Sequence, residues 1–196
     1  MTSKLQTPSR DEAFSLLREY TQNPSLIKHA LAVEAAMRAY ARKFSDDEEK
    51  WGLVGLLHDF DYERYPDPPD HPLKGAEILT EKGYPDDVIH AIKSHADYLG
   101  VPRNSMMDKT LYAVDELAGF ITAVALVRPS KNIADVTVES VKKKFKDKAF
   151  ARNVKREDIF NGVEDMKVDL DGHIQFVIDA MKSAASELGL DGSAVR

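Results

Sequence analysis

Cysteine is missing from all 196 residues, and that absence excludes disulfides, thiolate zinc sites, iron-sulfur clusters and cysteine nucleophiles together. Any metal held by this chain is therefore held by histidine and carboxylate. No run of 18 or more apolar residues occurs, so no membrane span is expected, and the absence of period-two alternation removes half-buried strands. Met1 to Pro8 lack the apolar core of a secretory signal, which makes a cytoplasmic location the expectation. Positive charge is also in deficit. With 27 Lys and Arg against 33 Asp and Glu, the net charge of −6 argues against a nucleic-acid partner for the whole chain. What remains, 43% hydrophobic and 31% charged, is an ordinary globular composition, in a chain long enough to bury a substantial core. Oligomeric state is not legible from it.

The most informative stretch is Trp51-Gly-Leu-Val-Gly-Leu-Leu-His58-Asp59, an apolar helix that ends in two side chains with affinity for metals. Such a run belongs in a core, so His58 and Asp59 are delivered to the interior, where polar groups need partners. A divalent cation meets that need, because imidazole and carboxylate are among its preferred ligands. Two ligands are too few, and the rest of the chain must supply others.

Helical spacing runs through the whole sequence. Ser9 to Tyr20 reads as a first amphipathic helix, and Asn23-Pro24 as the cap and first residue of a second that continues to Phe44. His29 lies three after Leu26 and four before Val33, on that helix's buried face. A single histidine in such a place is more often a satisfied core residue than a ligand. Ser45-Asp-Asp-Glu-Glu caps the Trp51 helix with acid, and the Pro-rich Phe60 to Asp70 segment is a loop able to cover a site. Helices then start at His71 and Pro85. His95 shares a face with Val88 and Ile92, whereas His90 is rotated from it by about 140° and is left out. A long helix from Met106 to Val127 carries Asp115 between Leu111 and Ala118, while Glu116 beside it is expected to face solvent. Arg128-Pro-Ser-Lys131 breaks that helix. Three more are predicted, near Thr137 to Arg152, Arg156 to Val168 and Gly172 to Leu188, and Asp169-Leu-Asp-Gly reads as a helix cap rather than a calcium loop.

Taken together, the inward polar residues are His29, His58, Asp59, His71, His95 and Asp115. The series His, His-Asp, His, His, Asp resembles the signature of the HD superfamily of metal-dependent phosphohydrolases, over roughly Asn23 to Lys131. The resemblance implies an all-α helical bundle with its site at the centre: one HD-type domain over residues 1–196, with a core at about 23–131 and a C-terminal helical extension at about 132–196. It implies that His29, His58, Asp59 and Asp115 hold one metal. In the fuller branch of the superfamily, residues resembling His71 and His95 hold a second, bridged by Asp59.

Function follows from the same resemblance. One or two divalent ions, from manganese, iron, cobalt, nickel, zinc and magnesium, would activate water for hydrolysis of a phosphate ester or anhydride of a small compound, a nucleotide being the leading expectation. Asp59 is then catalytic, and Asp61 or Glu63 could accept a proton or support a ligand, with a solvated loop charge as the equal alternative. Lys74 follows His71, and Arg128 and Lys131 follow the Asp115 helix, so these three are the expected phosphate-binding cations. Lys142 to Arg156 holds eight Lys or Arg against one Asp. Such a run is usually a solvated helix face, and otherwise a cover or attractor for the pocket. Two other functions fit the same residues: a di-iron HD-fold oxygenase, and a regulatory module that binds metal or nucleotide without turnover.

Overall fold

The structure, a computed structural model, describes residues 8–195, so the reading of Met1 to Thr7 lies outside the described residues. Within them the chain forms ten α-helices and no strand beyond an isolated bridge between Asn132 and Asp191. Among the described residues no helix is long and apolar enough to cross a membrane. The fold is all-α.

Local caps define the first elements. Helix α1 (Arg10–Tyr20) opens with a reciprocal box, Ser9 N–H donating to Glu12 Oε2 at 2.7 Å and Glu12 N–H to Ser9 Oγ at 3.3 Å. Helix α2 (Pro24–Phe44) starts under the Asn23 side chain, which accepts from Ser25 N–H at 2.9 Å, and stops at Ser45 in the left-handed region. Helix α3 (Glu48–Leu57) is capped by Asp47 and is buried from Trp51 to Leu57. Burying Leu53, Leu56 and Leu57 stabilises the fold by about 1.5–3 kcal/mol each, which is what holds the polar end of this helix inside. The approach of α3 to α2 is close. A Cβ on Gly55 would lie 2.8 Å from Glu34 Cα, so only glycine permits the crossing.

Helices α4 (Asp70–Glu81) and α5 (Asp86–Ser94) follow the Pro-rich loop and pack against each other, with α5 also against α3. The long α6 (Met106–Leu126) begins with a second box, Ser105 and Asp108, and runs through the centre of the molecule. It packs against α2 and α5 and, from the C-terminal half, against α7 (Val138–Phe145), α8 (Arg156–Met166) and α9 (Leu170–Lys182). At Gly162 an added Cβ would stand 2.5 Å from Ala113 Cα, so α8 lies directly on the backbone of α6. A short α10 (Ala185–Leu188) closes the chain against α2.

Two expected helices differ. The one expected to reach Arg152 ends at Phe145, because Phe145 and Phe150 both turn back onto Phe120 of α6, with ring centroids 4.6 and 5.4 Å away. Lys146 to Lys155 therefore form a loop, with Ala151 at φ 44°. The helix expected at Gly172 to Leu188 is two helices, broken where the Ser183 hydroxyl donates to the Ala180 carbonyl at 2.7 Å and competes with the helical ladder. Asp169 caps α9, as its acceptance of Gly172 N–H at 2.9 Å shows.

Candidate metal centre

Five helices bring six side chains together. His29 projects from the second turn of α2, and Asp115 from the middle of α6. His58 and Asp59 sit where α3 ends. His71 has an extended backbone before Pro72 at the opening of α4, and His95 caps the end of α5. His29 Nε2 lies 2.9 Å from Asp115 Oδ1 and 3.2 Å from His58 Nε2, and His58 Nε2 is 3.3 Å from Asp115 Oδ1. Two ring nitrogens this close cannot turn lone pairs toward each other without a proton or a cation beside them.

Asp59 stands between two groups. Its Oδ2 faces His58 Nε2 at 3.5 Å and His29 Nε2 at 4.0 Å, while its Oδ1 faces His71 Nε2 at 3.1 Å and His95 Nε2 at 3.4 Å. The six residues thus form two sets that share Asp59: His29, His58, Asp59 and Asp115, and Asp59, His71 and His95.

Hydrogen bonds on the far nitrogens set the rings. His58 Nδ1 donates to the Gly55 carbonyl at 2.8 Å, His71 Nδ1 to Asp61 Oδ1 at 2.7 Å, and His95 Nδ1 to the Ile92 carbonyl. Committing Nδ1 as the donor leaves each Nε2 to face the cluster with its lone pair, the arrangement a metal ligand requires. Asp61 is itself held by Gly75 N–H at 2.8 Å, and the Tyr98 hydroxyl donates to the His71 carbonyl at 2.5 Å. A Cβ on Gly75 would meet the Asp61 carboxyl at 2.8 Å, so this support also depends on a glycine.

The cluster's field favours positive charge. Burial opposes charge on His58, but Asp59 and Asp115 outweigh it and push its pKa up to about 10. Burial likewise opposes charge on His71, and hydrogen bonds with Asp59 and Asp61 raise it to about 9. On Asp59 burial favours the neutral acid, yet the His58 charge and the bonds from His71 and His95 hold it well below the carboxylate range. Asp115 is lowered in the same way, against burial, by His58 and His29. A donor set of imidazoles and ionised carboxylates that draws positive charge this strongly fits a divalent cation, which would displace the protons.

Above the cluster is a cavity of about 480 Å³. Its floor is Asp59, His71, His95 and Asp115, and its walls include Tyr62, Tyr98 and Tyr112, the acids Asp97, Glu116 and Asp158, and Lys155. Glu116 does not face solvent as expected. It is half-buried against the loop before α8, accepts Lys155 N–H at 3.1 Å, and is pushed up to about 7 by burial and by the neighbouring Asp115 charge. The signal was the near-uniform apolarity of α6, which leaves it no solvent face.

Other expectations need correction. Glu63 turns away and accepts the Gln22 and Asn23 N–H groups at 2.8 and 2.9 Å, capping α2 instead of meeting the cluster. Asp61 is fully buried behind His71, where it accepts from Nδ1 as a carboxylate supporting that ring would, and it does not line the cavity as a proton acceptor would need to. Lys74 pairs with Glu77 at 3.0 Å on the surface. Arg128 and Lys131 lie past the far end of α6, and neither lines the cavity. His90 meets the Pro102 carbonyl at 3.0 Å, outside the cluster, where its helical phase puts it.

The family model described as HD domain matches residues 26–184, well past the stretch that carries the sequence resemblance. No curated protein and no solved structure matches the chain. The matched span includes all six clustered residues and covers most of the molecule, and the chain belongs to the HD domain family.

Proposed function

We propose that the protein is a metal-dependent phosphohydrolase acting on a small phosphorylated compound, with a nucleotide among the candidates. The observation that carries this reading is Asp59, whose two oxygens face two separate histidine groups, so that each group would share it as a ligand for an ion. His29, His58 and Asp115 would complete one set of ligands with it, and His71 and His95 the other. Membership in the HD domain family, whose members are largely metal-dependent hydrolases, supports the same conclusion. When bound, divalent ions supply an activated water and a polarised phosphoryl oxygen.

The chain's own residues do the rest. Asp61 keeps the proton on His71 Nδ1 and so keeps Nε2 available, and the Gly55 and Ile92 carbonyls do the same for His58 and His95. The tyrosine-lined cavity gives a compact substrate one route to this floor. We also infer that α7 to α10 belong to the same structural unit as the ligand helices, since α8 and α9 pack on α6.

The test is elemental analysis of purified protein followed by a phosphate-release screen over several added metals. Bound metal with release from at least one ester supports the reading. Oxygen consumption with iron and no release from any ester would select an oxygenase.

A further inference from the structure

None of the three cations expected to meet a phosphate reaches the cavity, and Lys155 is the one Lys or Arg among the described residues that line it. We propose that Lys155 is the phosphate-contacting cation of this site and that its isolation on an acidic wall limits the substrate to compounds with a single phosphoryl group. This inference rests on the hydrolase reading above.

Position is the first argument. Lys155 ends the loop after α7 and immediately precedes α8, and it lines the same cavity as Asp59 and Asp115. Its main chain is tied to the ligand helix, because Lys155 N–H donates to Glu116 Oε2 at 3.1 Å and Glu116 adjoins Asp115. The loop is braced from behind. Arg156 Nη2 donates to the Asp147 and Phe150 carbonyls at 3.0 and 2.5 Å, with its guanidinium 5.0 Å above the Phe120 ring of α6. The side chain of residue 155 is thus presented from a fixed backbone.

Charge is the second. Among the described residues lining the cavity, Lys155 is the one Lys or Arg. Lys50, Lys74, Lys142, Lys144 and Lys182 each engage a carboxylate within 3.8 Å, and Lys155 has no such partner among the described residues. Its ammonium nevertheless stands in the field of Asp97, Glu116 and Asp158. Asp97 is satisfied by Arg103 at 2.5 Å and by the Tyr112 hydroxyl at 2.7 Å. Glu116 and Asp158 also line the cavity and form no ion pair with a cationic side chain among the described residues. An ammonium free of carboxylate contacts can meet one phosphoryl group beside the ions on the floor, whereas a further one along the wall would face carboxylates with no other cationic side chain to offset the repulsion.

Lys155→Ala removes the ammonium and leaves the main-chain tether to Glu116, so it separates charge from loop structure. The experiment is calorimetric titration of manganese-loaded protein with inorganic phosphate, then with a hexose 6-phosphate and the corresponding hexose 1,6-bisphosphate. The expected result is phosphate binding about tenfold weaker in Lys155→Ala and near wild type in Lys155→Arg, with the bisphosphate binding more weakly than the monophosphate. Phosphate binding unchanged in Lys155→Ala, or no phosphate binding by the wild type, overturns the assignment of Lys155. A bisphosphate bound as tightly as the monophosphate overturns the single-phosphoryl limit. Each comparison is decided without turnover. Failure of the hydrolase reading shows separately, as absence of phosphate release from every ester and metal tried.

Discussion

His58 and His173 are both buried, with 0% and 2% of their surface exposed, and they meet opposite electrostatic fates. His173, on α9, receives the Tyr40 hydroxyl on Nδ1 at 2.6 Å and donates from Nε2 to the Ala113 carbonyl at 3.0 Å. Both nitrogens are satisfied by neutral groups, and burial lowers its pKa. His58 spends one nitrogen on the Gly55 carbonyl and turns the other toward Asp59, Asp115 and His29, which raises its pKa despite complete burial. Burial therefore does not tell a ligand from a core histidine. What faces the second nitrogen does.

The sharpest break in that comparison is made at Asp59. Asp59→Ala should abolish both metal retention and phosphate release, read by elemental analysis and a phosphate assay, because both histidine groups lose their shared carboxylate. Retention of one full equivalent of metal would show that the His29 and Asp115 side binds without it.

Next in size is the pair of histidines themselves. His173→Leu leaves the Tyr40 hydroxyl without its partner and should lower unfolding stability by about 1–3 kcal/mol in urea while metal content is kept. His58→Gln should do the reverse, with loss of metal as its main effect. Equal metal loss in the two variants would erase the distinction between them.

Gly55→Ala tests the helix crossing that brings His58 to His29. Its Cβ meets the α2 backbone at Glu34 and Val33, so overpacking should cost about 1–3 kcal/mol and weaken metal binding together, seen by thermal unfolding and metal titration.

A pH series sharpens the contrast by sign. In metal-free protein, His58 and His71 have raised pKa values of about 10 and about 9, so their contribution to stability is complete below the unfolded value of about 6.5 and is lost as pH rises through 9 to 10. His173 has a lowered value, so its contribution is present above about 6.5 and is lost as pH falls through its folded value. Unfolding of metal-free wild type and His173→Leu across pH 4 to 10 should show the acid-side decline reduced in the variant and the alkaline decline kept. The smallest effect belongs to His90→Ala, with metal content unchanged and stability within about 0.5 kcal/mol by the same measurements.

The sequence is most legible where structure is local. Ser9 with Glu12 and Asn23 with Pro24 mark helix starts within a few residues, and the 3.6-residue period alone turns His29, His95 and Asp115 inward. The half-burial of Glu116 escapes the helical period, which reports one buried face, whereas α6 is covered on several sides by helices distant in sequence. Lys74, Arg128 and Lys131 are near an expected ligand along the chain but not in space. Lys155 is 40 residues from Asp115 and reaches the cavity only because Phe145 and Phe150 turn the loop onto α6. No local pattern encodes that docking.

The distance along the chain between His29 and Asp115, 86 residues, also orders events during folding. Loop closure over such a span comes late, so a complete ligand set exists only when the helical topology is in place. A cation that prefers this set binds the native state over the unfolded one and stabilises it in proportion to its free concentration. Without it, the raised pKa values of His58 and His71 favour protons beside the carboxylates. Loading would then exchange protons for metal in an already folded protein, and its extent would follow pH and metal supply.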